Sequence, residues 1–387
     1  MRLRGRIVAL CALGASVAAC ADLLGFKDLR QSDAGVDGAT PPDASGDVAP
    51  PDAGGDVVDT CPHVRWPDPP DAGDPGSPND YVLALHHVYL SSSPDGGVPT
   101  FGYDLDRRCT TDQASASCQS ASLVTDGVGG VDNGSIQLLG TLASLVPSLD
   151  DSKVNATIAA GQFTILLHVF GLRSLGDQTA TTGLKVAVQA SPGMEFGGTP
   201  AFAGTDRWLV AEEDTVGGGS NFPKLVTSAY VSNGVLVSTM TGQISLRLLL
   251  PAGNTVSGPL LVTLSDPVLT ANLTPATVGD AGAVGVVSGV VVGRWKAADM
   301  LGAIAPLTVN GGSLCDYLDG GALDLVKQEI CPIRDITSSG TDDGTSACDA
   351  VSVAVAFDAV PAEMATTPVP FPASATPCTR DAGACDD

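Results

Sequence analysis

The chain has 387 residues, with 43 acidic against 19 basic side chains and a formal net charge of −24. A surface that negative repels phosphate backbones and anionic lipid heads, so nucleic-acid binding is excluded. Ten cysteines suit an oxidising compartment, and low aromatic content with many glycines suits a sheet built from thin side chains.

The first twenty residues fall into three parts. Arg2, Arg4 and Arg6 are followed by an apolar stretch from Ile7 to Ala19, broken by Gly14 and Ser16, and then by Cys20. About 20 apolar residues are needed to span a bilayer, so this run reads as a cleaved signal instead of a membrane helix. A plain secretory cut after Ala19 is the alternative. The string Val17-Ala18-Ala19-Cys20 resembles the lipobox of bacterial lipoproteins. That resemblance implies cleavage before Cys20, a thioether from its thiol to diacylglycerol, and acylation of its amine by chains such as palmitate. Each buried methylene contributes about 0.8 kcal/mol, so several chains hold a protein on membrane lipid lastingly. Asp22 stands one place beyond the position at which an Asp signals inner-membrane retention in such proteins, which implies the outer membrane. Removing residues 1–19 removes three arginines and leaves the chain more acidic still.

Residues 20–80 read as the anchor and a tether. Leu23-Leu24-Gly25-Phe26 is apolar enough to rest on lipid. From 28 to 80 the composition is Asp, Pro, Ala and Gly, with Pro-Pro-Asp-Ala at 41–44, 50–53 and 69–72 and twelve Asp against Arg30 and Arg65. Such a segment buries too little apolar surface to offset its ordering entropy. Proline and like charge extend it, at about 3 Å per residue, to a reach on the order of 100 Å. The lipobox and this tether together resemble predicted lipoproteins of myxobacteria. The resemblance covers residues 1–80 and implies no activity.

The β-rich globular domain is expected over 81–365. Tyr81–Leu90 reads as a strand, and apolar residues at helical spacing predict a helix over 134–147. Strands follow at Thr164–Phe170, around Leu184, Val186 and Val188, and at Arg207–Ala211. Asn233-Gly234 between two apolar runs predicts a type I′ hairpin, because both residues accept positive φ. Further strands are expected at Gln243–Leu250, Leu260–Leu264, Val268–Leu273, Val284–Val292 and Val351–Phe357. Short helices are expected at Ala297–Ile304 and Leu323–Ile330. This pattern, with no βαβ alternation, predicts a mainly β fold, an antiparallel β-sandwich or jelly-roll-like domain with a few short helices. Residues 366–387 form a Pro-rich acidic tail.

With Cys11 in the signal and Cys20 lipidated, eight cysteines remain as disulfide candidates: Cys61, Cys109, Cys118, Cys315, Cys331, Cys348, Cys378 and Cys385. Eight allow 105 complete pairings. Proximity in sequence favours Cys109–Cys118 and Cys378–Cys385. No Cys-x-x-Cys occurs, and only Cys61 has a near histidine, His63, so zinc is disfavoured.

Gly-x-Ser-x-Gly, His-Glu-x-x-His and P-loop strings are absent. His86 and His87 are neighbours on a strand, which sends their side chains to opposite faces. His168 sits in an apolar strand as a core histidine. Glu212-Glu213-Asp214 lack the spacing of paired glycosidase carboxylates and read as a charged strand end. Calcium is the cofactor candidate, at Asp104 and Asp106, two residues apart on one side of an extended chain, with Asp132 from a Gly-rich loop. A second acidic loop holds Asp342, Asp343 and Asp349.

The expected function is a non-enzymatic binding or structural β-domain on a membrane-anchored stalk in the cell envelope, with a glycan or an envelope protein as partner. A polysaccharide-acting hydrolase is the alternative. Trp66, Trp208 and Trp295, the only tryptophans, would supply a sugar-stacking platform if exposed.

Overall fold

The computed structural model describes residues 61–90, 101–138, 150–175, 180–217, 219, 222–250, 256–273, 287–309, 312–317, 321–373 and 385. Cys20 and the first part of the tether lie outside these residues, as does Cys378. The described residues all belong to one compact unit.

Nine strands carry the architecture: β1 (Asp80–Tyr89), β2 (Thr164–Phe170), β3 (Thr181–Ser191), β4 (Thr227–Ser232), β5 (Val235–Thr239), β6 (Gln243–Leu250), β7 (Val256–Asn272), β8 (Val287–Lys296) and β9 (Ala350–Pro361). The helices are α1 (Asp151–Ala159), α2 (Ala297–Ile304) and α3 (Gly321–Ile330), and residues 135–138 are also helical. Among the described residues no helix is long and apolar enough to cross a membrane.

The fold is mainly β and antiparallel, as the sequence predicts. Neighbours run β8-β9-β1-β2-β3-β4-β5-β7, and β7 pairs in turn with β8. Both edges of the sheet therefore meet, and the facing walls of the expected sandwich are joined into one closed ring of eight strands. β6 forms a hairpin with the first half of β7, from Gln243↔Ser265 to Leu250↔Gly258.

Alternation sets which side chains enter the ring. On β9, Phe357 and Ala359 enter the interior cluster, whereas Ala354 and Ala356 pack outside. On β7 the inward set changes parity: Leu260, Val262 and Leu264 before a bulge, Leu269 and Ala271 after it. Asp266, at φ +43°, sits at that switch, and its carboxylate accepts from the Gly242 N–H. The two strands predicted at 260–264 and 268–273 are thus one long strand with an added residue. The hairpin at Asn233-Gly234 forms with φ of +51° and +75°. Interior β8 residues alternate Val287, Gly289, Val291, Gly293, Trp295. A Cβ on Gly289 would lie 2.2 Å from the Thr270 carbonyl oxygen and 2.5 Å from the Phe357 ring, so glycine is required where that ring crosses the strand.

Two outer layers cover the ring. Val64, Trp66, Phe101, Tyr103 and Leu105 lie over β5, β7, β8 and β9, while Trp208, Val210, Met194 and Phe202 lie over β1 and β2. Residues expected in the tether are thus part of the fold. Trp66 packs edge-on to Tyr103, and Asp74–Pro75 pairs with Thr181–Thr182. At the other end Phe371 is buried in the interior cluster, so the tail's start is also folded.

The local disulfide pairings are corrected. Cys109 is joined to Cys61, Cys118 to Cys348 and Cys385 to Cys331, and Cys315 is also disulfide-bonded. Each described bridge joins segments far apart in sequence, separated by 48, 230 and 54 residues, because the fold brings distant loops together.

Candidate functional site

The interior is not filled. A cavity of about 120 Å³ lies inside the ring, and its exposed lining is apolar throughout. Val188 from β3, Leu246 and Leu248 from β6, Val291 from β8 and Val355 from β9 all point into it and are only half-buried, although they sit inside the sheet. Trp295, Met300 and Leu138 close one side, and Val154 of α1 another. Eight strands enclose a space just wide enough for packed side chains or one small ligand. An apolar cavity of about 150 Å³ stays dry and binds benzene, so this one accepts a small ring or a short length of alkyl chain. No ionisable group is among its described lining residues.

The wall beside Val154 is built differently from the rest. β1 and β2 pair only from Asp80↔Phe170 to Ala84↔Leu166. Beyond Ala84 they part, and α1 lies along the freed edge of β1 and against β6. Asp150 caps α1 by accepting from the Ser152 N–H. The Asn155 side chain accepts from the Val88 N–H at 2.8 Å and donates to the Val88 carbonyl at 2.9 Å. Asp151 accepts from the Leu90 N–H at 2.9 Å, and the Thr164 hydroxyl donates to the Leu85 carbonyl at 2.8 Å. Val154 and Ile158 are buried into the interior. Sequence reasoning passed over this helix; its signal was the cap at Asp150-Asp151-Ser152.

The calcium candidates do converge, outside the ring. Ligand oxygens of Asp104, Asp106 and Asp132, all buried, lie within 4.8 Å of one another. Two oxygens on one calcium, each 2.3–2.6 Å away, span about that distance. Asp132 accepts from the Leu105 N–H at 2.6 Å, and Asp104 accepts from the Arg107 N–H and meets His63 Nδ1, each at 2.5 Å. Burial, with neighbouring carboxylates adding to it, pushes Asp106 up to about 6, Asp126 up to about 7 and Asp132 well above the ordinary carboxylate range. Buried Asp335 is likewise raised to about 6. These groups share protons near neutral pH or are neutralised by a hard cation. Cys61, His63 and Cys109 also converge, but the two cysteines are bonded to each other. Asp342 of the second acidic loop serves Arg294, which is buried on the outer face of β8 and also donates to the carbonyls of Leu105 and Thr337.

The remaining candidates are structural. His86 and His87 do not face opposite ways: a bulge at His86 in the β1–β9 ladder sets their rings 3.9 Å apart. His168 is buried on the outer face, stacked on Phe170, and burial lowers its pKa. Glu213 accepts from the Phe371 N–H, and Asp214 accepts from Ala190 and pairs with Arg247. Trp208 and Trp295 are buried and Trp66 is half-buried, with the Arg65 guanidinium over its ring, so of the three tryptophans Trp66 alone presents part of a ring to a sugar.

No family model, no curated protein and no solved structure matches this chain.

Proposed function

We propose that this is a non-enzymatic binding domain of the cell envelope that takes a small apolar molecule, or the alkyl chain of a larger one, inside its β ring. The observation that carries the reading is the apolar cavity enclosed by strands. At about 24 cal/mol per Å³, a void of this size costs about 3 kcal/mol of stability. Larger side chains would remove that cost, so retaining the space is the expected signature of a site. The lipobox-like start supports lipid attachment at Cys20, with the acidic tether holding the domain off an outer membrane. An apolar ligand is a partner class that such a membrane supplies.

The test is titration of the full chain with N-hexyl-dansylamide, a fluorophore carrying a six-carbon alkyl chain short enough for the cavity. Saturable emission with one site per chain supports the reading, and an unsaturated, linear response contradicts it. For the anchor, radiolabelled palmitate should enter the wild type and not Cys20→Ala; equal labelling of both would refute lipidation.

A further inference from the structure

We propose that α1 is the gate of the cavity, and that ligand enters and leaves sideways, between β1 and β2, when this helix swings off the wall. The inference rests on the cavity being a ligand site, and concerns how that site is controlled.

Around the rest of the ring each strand pairs directly with its neighbour, in backbone ladders of four to ten residues, while Met300 of α2 and Leu138 close one side of the cavity. A ladder breaks only by unzipping many bonds together. At α1 the ladder is missing, and side chains stand in for it. Asn155 presents an amide to Val88, offering an acceptor to its N–H and a donor to its carbonyl, as a paired strand residue would. Asp151 accepts from the Leu90 N–H, supplying the acceptor half of the same pairing. The match is geometric. Residues four apart on a helix rise about 6 Å, and residues two apart on a strand rise about 6.6 Å, so one helical turn reaches both backbone positions. The hydrogen bonds of Asn155 and Asp151 and the inward packing of Val154 and Ile158 therefore help hold this part of the wall closed.

The position fits the role. Val154 belongs to the cavity lining, so moving α1 exposes the cavity itself and not some neighbouring layer. Asp151, Val154, Asn155 and Ile158 fall at i, i+3, i+4 and i+7 on one stripe of the helix, so the hydrogen bonds to β1 and the apolar packing are released together when it moves. Val88 and Leu90 keep their inward side chains on β1, which stays paired to β9 through Val88↔Phe357. The rest of the ring can remain intact while the helix moves. Elements of low local stability are the ones that open in such steps.

Stopped-flow binding of N-hexyl-dansylamide to the full chain tests this. Asn155→Ala removes both bonds to Val88 and should speed association and dissociation alike, by about fivefold or more given the usual strength of one net hydrogen bond, while the equilibrium constant changes less than twofold. Asp151→Ala should speed both rates to a smaller degree, and Asp151→Asn, which keeps an acceptor for Leu90, should restore wild-type rates. Asp151→Ala keeps the proposal falsifiable if Asn155→Ala does not fold. Unchanged rates in a folded Ala variant overturn the gate, as does a change in dissociation alone. Absence of any fluorophore binding by the wild type would instead overturn the cavity reading on which the gate rests.

Discussion

Val291 offers the sharpest perturbation of the cavity. It lies at the middle of β8, paired with Val355 and Leu269, and its side chain faces the void. The Phe357 ring fills the space over Gly289, and Leu264 and Pro267 fill that over Gly293, so a larger side chain at 291 must grow into the void and not along its own strand. Replacing Val291 by Phe would fill roughly a third to a half of the 120 Å³. At about 24 cal/mol per Å³ the gain is about 1 to 1.5 kcal/mol, less some cost of rotamer adjustment. For a chain of this size about 1 kcal/mol raises Tm by about 2 °C. Differential scanning calorimetry of Val291→Phe should show that rise, and fluorophore affinity should fall at least tenfold. A mutation that gains stability while losing binding is the expected mark of a site kept open. A Tm lowered by several degrees together with unaltered fluorophore binding would refute the reasoning, because it would mean that the space beside Val291 is filled and the fluorophore binds elsewhere.

Gly289→Ala should destabilise by about 1–3 kcal/mol through contact with the Thr270 carbonyl and Phe357, whereas Gly302→Ala, in α2 with open space around it, should stabilise by about 0.5–1 kcal/mol; urea unfolding of the two distinguishes local crowding from a general effect of the added methyl. Arg294→Met should cost about 3–5 kcal/mol by leaving Asp342 buried without its partner, read as a shift in urea midpoint. In EDTA, stability should fall as pH rises from 5 to 8. The carboxyls of Asp106, Asp126 and Asp335 have folded pKa values above their unfolded ones, so their contribution is complete below pH 4 and is lost as pH passes through about 6 to 7. Calcium added at pH 8 should restore Tm in the wild type and not in Asp132→Asn; equal response of both would remove the Asp104–Asp106–Asp132 cluster as the binding site.

Much of the fold was legible because alternation is a local signal. Val351, Val353, Val355 and Phe357 announce one face of β9, and Asn233-Gly234 announces its turn by backbone freedom alone. The helix at Ala297–Ile304 is read to the residue. The bulges were not legible as such. An extra residue at His86 reverses a face, and the one near Asp266 turns two predicted strands into a single bent one. Closure of the ring depends on β7 having partners on both sides, a long-range fact that no window of residues carries. The disulfides failed for the same reason: nearness in sequence is a poor guide where Cys118 meets Cys348 across 230 residues. The three aspartates did come together, since Tyr-Asp-Leu-Asp and a Gly-rich loop are both short-range features. The cavity was invisible, because the pattern of Val and Leu tells which side chains point inward and not how much room they leave.

The central claim is that the ring holds an apolar molecule, and the most direct measurement is to identify what it carries. Full-length wild type and Val291→Phe, purified alike, would be extracted with organic solvent and the extracts quantified by mass spectrometry. The account predicts close to one molar equivalent of a single class of apolar compound from the wild type and a large deficit from Val291→Phe. Equal amounts from both, or none from either, would contradict it.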